Sequence, residues 1–322
     1  MWFLLIGGGA LFAVAAGLFA NGDDFDLGSL GMPIRKLTPA QRVAYGGNYK
    51  SCATLRRTEV VLQQLGIAPG ARLPDHIVQF GRYMLTMKGR QLDAADVVKA
   101  YLLTLSSIQR ESRYGRTLRL AWPDHPFEDD KLVRPEHAFA ELLLHTPEGK
   151  RFLRATVAGK VDEVAADRVY RRFRVYGDAN RMMRRGMREA AGLAAIADEV
   201  ARGVRELPRK AWFELARAKF FGIDTTKAGF LASLLGRGDL GTMDAREEDL
   251  WVEPTGGKKV KINWPLIVRF NDRLTEVDVA MPDELRPFYE HLTHHFLWEK
   301  AGGVEETHAK ICEAMLAQLG GR

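Results

Sequence analysis

The chain has 322 residues, of which 46% are hydrophobic and 27% charged, and its formal net charge is +6. This length is enough for one large domain or two ordinary domains with a real core. The two cysteines, Cys52 and Cys312, make neither a disulfide framework nor a cysteine-based metal site, which favours a reducing compartment.

Residues 2–20 form an uninterrupted run without a charged or strongly polar side chain. A run of this length is about what a helix needs to cross a bilayer core. Because no Lys or Arg precedes it, we predict an uncleaved membrane anchor over residues 1–21, with the basic bulk of the chain on the cytoplasmic side. Gly9, Ala13 and Gly17 have the four-residue spacing of small residues at helix contacts in membranes. The alternative is a buried N-terminal helix of a soluble protein, for which the glycines are poorly suited.

Residues 22–37 are rich in Gly and Asp and are predicted to be a linker, followed by an N-terminal helical domain over residues 38–160. Thr38-Pro39 is a typical helix start. Apolar residues at helical spacing predict helices at Pro39–Tyr45, Tyr49–Leu65, Asp75–Met87, Asp93–Arg113, Pro135–Leu144 and Pro147–Ala158. Residues 117–122 favour a short strand. The acidic side chains within residues 124–130 have the chemistry to bind a divalent cation, although such clusters are more often solvated loops.

Residues 168–188 contain eight arginines and a single acid, Asp178, with three aromatic residues among them. Arginine forks bind phosphates in a bidentate manner and stack on bases, as aromatic rings do. This composition predicts a polyanionic partner, either nucleic acid or an anionic membrane surface. The alternative is a solvated helix face with its aromatic rings in the core. The arginines that we assign to nucleic-acid binding are Arg171, Arg172, Arg174, Arg181, Arg184 and Arg185.

Residues 161–322 are predicted to be a second helical domain, so the whole chain is predicted to be all-α. Its predicted helices are Glu189–Glu206, Trp212–Phe221, Thr225–Leu235, two between Trp264 and Ala301, and Val304–Leu319. A hairpin of three residues, Gly222-Ile223-Asp224, joins the second and third of these, with Asp224 in the position of a helix N-cap. A loop then leads to Asp244 at the start of another helix.

Residues 211–251, which read AWFELARAKFFGIDTTKAGFLASLLGRGDLGTMDAREEDLW, resemble the helix-hairpin-helix DNA glycosylases. The hairpin of that family reads apolar-Pro-Gly-apolar-Gly before Lys-Thr-Ala, and a catalytic Asp follows one helix and one loop later. Here Phe220 to Asp224 take the hairpin place, Ala228 takes the place of the motif Ala, and Asp244 lies at the family's usual distance from it. A close variant, Lys-Ala-x-Phe followed by a short loop and Asp, is associated with phage proteins of the superfamily, including those proposed to act on hypermodified thymines.

The sequence also departs from the family pattern at several places. Phe221 replaces the Pro, and Asp224 puts a carboxylate where the family presents bare amides to a DNA phosphate. Thr226 occupies the slot of the lysine that acts as a nucleophile in bifunctional members, and Lys227 follows one position later. The iron–sulfur cysteines of some members are absent. The resemblance therefore implies no strand-cleaving activity and no cofactor.

The resemblance implies a nucleic-acid-binding hairpin and a catalytic Asp244. A helix N-terminus offers free N–H groups and a positive dipole end to a phosphate, and a nearby carboxylate stabilises positive charge that develops on a sugar. The residues expected to bind nucleic acid are Gly222, Ile223, Asp224, Thr225, Thr226 and Lys227. The alternative is an ordinary pair of packed helices in which Asp244 is only an N-cap.

His291 and His295 lie one helical turn apart, a spacing that suits zinc. The glutamate that follows the first histidine in metalloprotease helices is missing, so we expect a surface or partly buried histidine pair and no metal. His308 and Cys312 have the same spacing and receive the same interpretation.

Two functions fit the sequence. The first is a membrane-associated nucleic-acid-binding protein on a glycosylase-like scaffold, acting on a modified base through Asp244 as a monofunctional glycosylase or a base-modifying transferase. The second is a non-enzymatic phage virion, DNA-ejection, conjugation or secretion component, with a membrane-inserting N-terminus and a basic DNA-binding domain. Under both functions the expected partners are DNA and, through residues 2–20, a membrane.

Overall fold

The computed structural model describes residues 53–107, 135–174, 181–253 and 262–301, and this part of the chain is all-α. Two short strands, β1 (Ala71–Arg72) and β2 (Val279–Ala280), pair in parallel with Ala71 opposite Val279. The α-helices are α1 (Thr58–Leu65), α2 (Asp75–Gly89), α3 (Ala94–Ser106), α4 (Pro135–His145), α5 (Pro147–Val157), α6 (Glu163–Arg174), α7 (Arg181–Leu193), α8 (Ala197–Glu206), α9 (Arg209–Lys219), α10 (Thr225–Leu234), α11 (Ala245–Trp251), α12 (Trp264–Thr275) and α13 (Tyr289–Lys300).

Most of the predicted helices that fall within these residues are confirmed, because their ends carry local signals. An Asp93–Asp96 capping box starts α3, and the Thr146 side chain accepts the Gly149 N–H before Pro147 opens α5. Gly66, with φ 65°, ends α1 in the left-handed conformation that glycine adopts without strain.

Two of the predicted helices are wrong in part. Of the helix predicted over Tyr49–Leu65, the described residues 53–57 are not helical, because they are tied to the end of α11. The Arg56 N–H donates to the Trp251 carbonyl at 2.7 Å, and Leu55 bridges Val252. The alanine-rich helix predicted over Glu189–Glu206 is interrupted by a 3₁₀ turn at Ala194–Ile196, which separates α7 from α8. Helical propensity predicted the continuity of both segments, and tertiary contacts overrode it.

The core is a single cluster of buried side chains, and α3 runs through it. All residues from Ala100 to Ser106 are buried, as expected for a helix surrounded by others. Its two buried hydroxyls, on Thr104 and Ser106, donate to carbonyls within the same helix. Helices α4, α5, α7, α8 and α10 all pack on α3, so helices on both sides of the boundary predicted at residue 160 share one core.

No helix among the described residues is long and apolar enough to span a bilayer. The predicted anchor (residues 1–21) and linker (residues 22–37) lie outside the described residues, so the membrane association stays a sequence prediction. The same holds for the predicted strand and acidic cluster in residues 117–130 and for the predicted last helix.

Gly236 ends α10 at a close approach to the end of α2. Its φ of 84° is left-handed, and a Cβ on this residue would overlap the Lys88 backbone. Gly192 on α7 is also a glycine, but a Cβ there would meet nothing within 4 Å.

We therefore expect opposite effects from two identical substitutions. Gly236→Ala should lower the free energy of unfolding by about 2 kcal/mol or more, because both the dihedral and the backbone overlap are unfavourable. Gly192→Ala should raise it by about 0.5–1 kcal/mol through helix propensity. Urea unfolding of both variants measures this, and a stable Gly236→Ala protein would contradict the close approach.

Candidate nucleic-acid interface

The segment between α9 and α10 is a tight turn with its apolar residues turned inward. The side chains of Phe220 and Ile223 are buried, and the Ile223 N–H donates to the Phe220 carbonyl at 3.2 Å. Gly222 has φ 77°, and a Cβ on it would lie 2.9 Å from Leu105 Cδ1 of α3 and 3.3 Å from Met182 Cε of α7. The left-handed dihedral favours glycine at this position, and an added Cβ would also have to displace the end of the Leu105 side chain.

Two buried side chains hold the turn and the helix that follows it through hydrogen bonds to backbone carbonyls. The Tyr101 hydroxyl on α3 donates to the Phe221 carbonyl at 2.9 Å, and the Trp212 indole N–H on α9 donates to the Ala228 carbonyl at 3.0 Å. Burial raises the pKa of Tyr101 above its ordinary value, so the phenol keeps the proton that it donates to the Phe221 carbonyl. The two helices are therefore locked at one geometry.

The predicted phosphate site at the start of α10 is partly filled by the chain itself. Asp224 is exposed and caps the helix, as predicted, and its carboxylate accepts the Lys227 N–H at 3.1 Å. The Lys227 ammonium turns away to the Ser107 carbonyl, 3.2 Å from it. Thr225 and Thr226 are half-buried. A phosphate at this N-terminus would thus face a carboxylate that already uses one of the amides.

The arginines of residues 168–188 lie on α6 and α7, and the six whose side chains are described each approach a carboxylate. All four of these acids lie outside residues 168–188. The pairs are Arg168 and Arg172 with Glu148, Arg171 and Arg184 with Asp167, Arg185 with Glu189, and Arg188 with Glu163. For Arg174 and Arg181 only the backbone is described. The aromatic residues Tyr170 and Phe173 are buried in the core.

The hairpin and the arginine-rich helix α7 are in contact. The Arg185 guanidinium of α7 lies 4.1 Å from the centre of the Phe221 ring in the turn, a cation–π arrangement. Met182, one turn earlier on α7, is the residue closest to Gly222 on that side. Two segments that the sequence assigned separately to nucleic-acid binding therefore form one continuous surface.

Asp244 is the N-cap of α11, and its carboxylate is held by three donors. Oδ1 accepts the backbone N–H groups of Arg246 at 2.9 Å and Glu247 at 3.3 Å, and Oδ2 accepts the Trp298 indole N–H at 2.7 Å. The Arg246 guanidinium in turn lies over the Trp298 ring, 4.8 Å from its centre. The carboxylate is half-buried and oriented from two helices, α11 and α13.

Behind Asp244 lies a buried acid–imidazole pair, Glu247 and His294. Glu247 accepts the Asp244 N–H through one oxygen and contacts His294 Nδ1 through the other, while His294 Nε2 is 2.7 Å from the Thr242 hydroxyl. Burial, helped by the Asp244 carboxylate, raises the pKa of Glu247 well above its ordinary range. Burial, helped by the Lys227 ammonium, lowers the pKa of His294 to about 3 against the opposing Asp244 charge. We therefore assign a neutral carboxyl that donates to a neutral imidazole.

The loop before Asp244 lies against α10, the helix that follows the hairpin. The loop that ends at Asp244 packs on α10 through Gly229, where a Cβ would come 3.6 Å from the Leu240 carbonyl oxygen. A Cβ on Gly229 would also lie 2.5 Å from the Thr242 methyl of the same loop, so this loop packs closely against α10.

The sequence contains a local signal for part of this network. Asp244 followed three residues later by Glu247 is a capping-box pattern, which predicts that Glu247 folds back on the Asp244 N–H. Nothing local points to His294 or Trp298, because both come from α13, about fifty residues later.

His291 and His295 form a buried pair, with their Nε2 atoms 2.8 Å apart. His291 Nδ1 donates to the Leu240 carbonyl at 2.7 Å, which makes His291 Nε2 the acceptor from His295. Burial lowers the pKa of His291 to about 3, helped by His294 and opposed by the Leu240 carbonyl and by Asp239. Within the described ranges no group of three or more His, Cys, Asp or Glu residues is placed to hold a metal ion.

No protein-family model, no curated protein and no solved structure matches this chain. The function is therefore inferred from the residues and contacts of the chain itself.

The buried histidines make stability depend on pH. The folded pKa values of His291 and His294 lie near 3 and the unfolded values near 6.5, so between these limits the unfolded chain binds protons that the folded chain does not. Stability falls as the pH drops through this window. Glu247 acts in the opposite sense, because stability from its raised pKa is complete below about pH 4.5 and is lost as the pH rises.

His291→Asn keeps a donor for the Leu240 carbonyl but removes one titrating group. The difference in unfolding free energy between wild type and this variant should shrink by up to about 1.4 kcal/mol per pH unit as the pH falls from 6 to 4. Urea unfolding at several pH values measures it. The control is His145→Asn at the exposed end of α4. A difference that does not depend on pH would show that His291 titrates alike in both states.

Proposed function

We propose that this chain binds nucleic acid through the surface formed by α6, α7 and the turn before α10. The observation that carries the proposal is the Arg185–Phe221 contact, because it joins the arginine helix to a rigid hairpin whose sequence resembles that of DNA-binding enzymes. We also propose that residues 2–20 associate with a membrane. This proposal is independent of the nucleic-acid interface.

The charge distribution supports a polyanionic partner. Residues 148–189 contain twelve basic and six acidic side chains, so their net charge of +6 equals that of the whole chain. The six arginines with described side chains all keep more than a third of their side-chain surface exposed, although each approaches a carboxylate. Exposed ion pairs of this kind hold their partners weakly, so a phosphate can compete for the guanidinium groups.

Replacing Arg185 and Arg188 together by Ala should weaken DNA binding. The variant loses two phosphate-binding groups and the contact with Phe221, so the dissociation constant should rise and the slope of log K against log salt should become shallower by about 0.9 per lost phosphate contact. Fluorescence anisotropy of a labelled duplex over a salt series measures both quantities. Binding that does not respond to salt, or no binding by wild type, would contradict the proposal.

A second proposal concerns chemistry at Asp244, and one geometric observation favours it. Its carboxylate is oriented by three N–H groups, follows a loop that packs on α10, and is backed by a Glu247–His294 pair with no net charge. A fixed negative charge next to a nucleic-acid surface is what stabilisation of a developing sugar cation requires. In this proposal a base is flipped out of the nucleic-acid duplex toward Asp244, and the carboxylate supports cleavage or exchange of the glycosidic bond of that base.

The competing proposal is binding without chemistry, as in a virion, ejection or secretion component. The cap formed by Asp224 favours it, because this carboxylate occupies an amide that the resembling enzymes offer to phosphate. The same three donors that orient Asp244 also account for it as a plain N-cap.

Asp244→Asn separates the two. The amide keeps the size of the side chain and the oxygen that caps α11, and it loses only the acceptor for the Trp298 N–H. DNA affinity should therefore stay within about twofold of wild type, while base release or exchange on modified DNA should fall at least about a hundredfold. Chromatography of the bases released from wild-type and variant reactions measures the chemistry. A wild type that releases no base from any modified DNA would leave binding as the function.

A further inference from the structure

We propose that two arginine pairs on α6 and α7, each gathered around one carboxylate, are phosphate sites with which the protein grips a nucleic-acid backbone without reading its bases. The first pair is Arg168 and Arg172 around Glu148, and the second is Arg171 and Arg184 around Asp167. This inference rests on the proposed function, and it specifies the chemical groups that are bound.

The first site joins α6 to α5. Arg168 and Arg172 lie one turn apart on α6, and their guanidinium nitrogens approach the two oxygens of Glu148 at 4.0 and 3.7 Å. These separations are those of ion pairs and exceed hydrogen-bonding distance. Glu148 therefore draws both arginines to one place without using their N–H donors.

The second site joins α6 to α7. Arg171 Nε lies 2.7 Å from one oxygen of Asp167 on the same helix, and a guanidinium nitrogen of Arg184 on α7 lies 3.7 Å from the other oxygen. The Arg184 guanidinium also lies 5.6 Å from the centre of the Tyr170 ring. This ring supports the guanidinium from the side of the core.

Exposure shows which groups face outward at both sites. The side chains of the four arginines are 42 to 75% exposed, whereas Glu148 and Asp167 are 20% and 32% exposed. The carboxylates thus lie beneath the guanidinium groups. Each guanidinium has five N–H donors, so most of them remain for an anion approaching from solvent. Each site has two positive charges and one negative, which leaves it attractive to a phosphate.

The ligand chemistry follows from the groups that are present and from those that are buried. A planar guanidinium matches the oxygens of a phosphodiester, and two neighbouring arginines match its shared charge. Single-strand binders add exposed aromatic rings on which bases stack. Here Tyr170 and Phe173 are buried, and the Phe221 ring is covered by Arg185. The surface therefore offers donors for phosphates, and its described aromatic rings are not open to bases.

Both sites lie on the outward face of α6. Asp167 and Arg168 are neighbours in the sequence, as are Arg171 and Arg172 one turn later, while Ala165, Val169 and Phe173 face the core. Two phosphates of one backbone can therefore be held side by side.

The test measures the affinity of the full chain, in nonionic detergent, for a duplex of mixed sequence, a single strand of equal length and vesicles containing an anionic phospholipid. The variants are Arg168→Ala with Arg172→Ala, and Arg171→Ala with Arg184→Ala. The control is Arg273→Ala with Arg286→Ala, which removes the same charge from arginines paired to Glu276 and Asp283 elsewhere on the surface. Thermal unfolding of each variant checks that it is folded.

We expect each site variant to weaken duplex binding about tenfold and to make the salt slope shallower by about 0.9, and the control to do neither. Changes of base sequence should not affect affinity. Arg171→Lys with Arg184→Lys keeps the charge but loses the planar forks, so it should recover the salt slope and only part of the affinity.

Other outcomes overturn the inference and identify what failed. Nucleic-acid binding that the site variants and the control reduce equally would leave the proposed function intact and remove the two sites. Tighter binding of the single strand than of the duplex would show that bases are read. Absence of nucleic-acid binding, with or without binding to the vesicles, would contradict the proposed function together with the sites.

Discussion

The interface depends on how closely two glycines approach Leu105 of α3. Gly222 of the hairpin lies against one methyl of this leucine, and Gly186 of α7 lies against the other so tightly that a Cβ would overlap it. Tyr101, one turn earlier, contributes its hydroxyl to the Phe221 carbonyl. Two surface elements are thus seated on the same turn of one buried helix. Because the hairpin and α7 both pack on Leu105, Arg185 and Phe221 lie close enough to contact each other.

The titratable groups of the candidate interface form an exposed set and a buried set, which differ in whether water can solvate a charge. On α6 and α7 the ion pairs are exposed, so each contributes little to stability and can exchange its carboxylate for another anion. Around Glu247 and His294 the groups are fully buried, so water cannot compensate for a charge and both groups become neutral. Asp244 lies at the border between these regions, with its backbone N–H in the buried network and its carboxylate half exposed. The exposed part suits binding, and the buried part suits fixed positioning.

The hairpin shows how one residue changes what a motif can do. The turn has the dihedral, the buried apolar residue and the following helix that its sequence predicts. Asp224, however, makes the N-terminus of α10 self-capped, since its carboxylate accepts the Lys227 N–H. The positive end of the helix is then partly neutralised from within. In the proposed function, the arginines of α6 and α7 therefore take the larger part in contacting a polyanion, and the amides at the start of α10 take the smaller part.

The sequence by itself determined the features that depend on neighbouring residues. The spacing of apolar residues predicted where the helices lie, and N-cap residues such as Asp93, Asp224 and Asp244 predicted where they begin. It also determined where the positive charge is concentrated. Only the tertiary structure decided which acids lie among the arginines, that Tyr170 and Phe173 are buried, and that Glu247 meets His294 from 47 residues away. The physical reason is that helix propensity and capping act within about one turn, whereas burial and ion pairing depend on which helices pack together. For the same reason Leu55 and Arg56, which were predicted to be helical, pair with the end of α11.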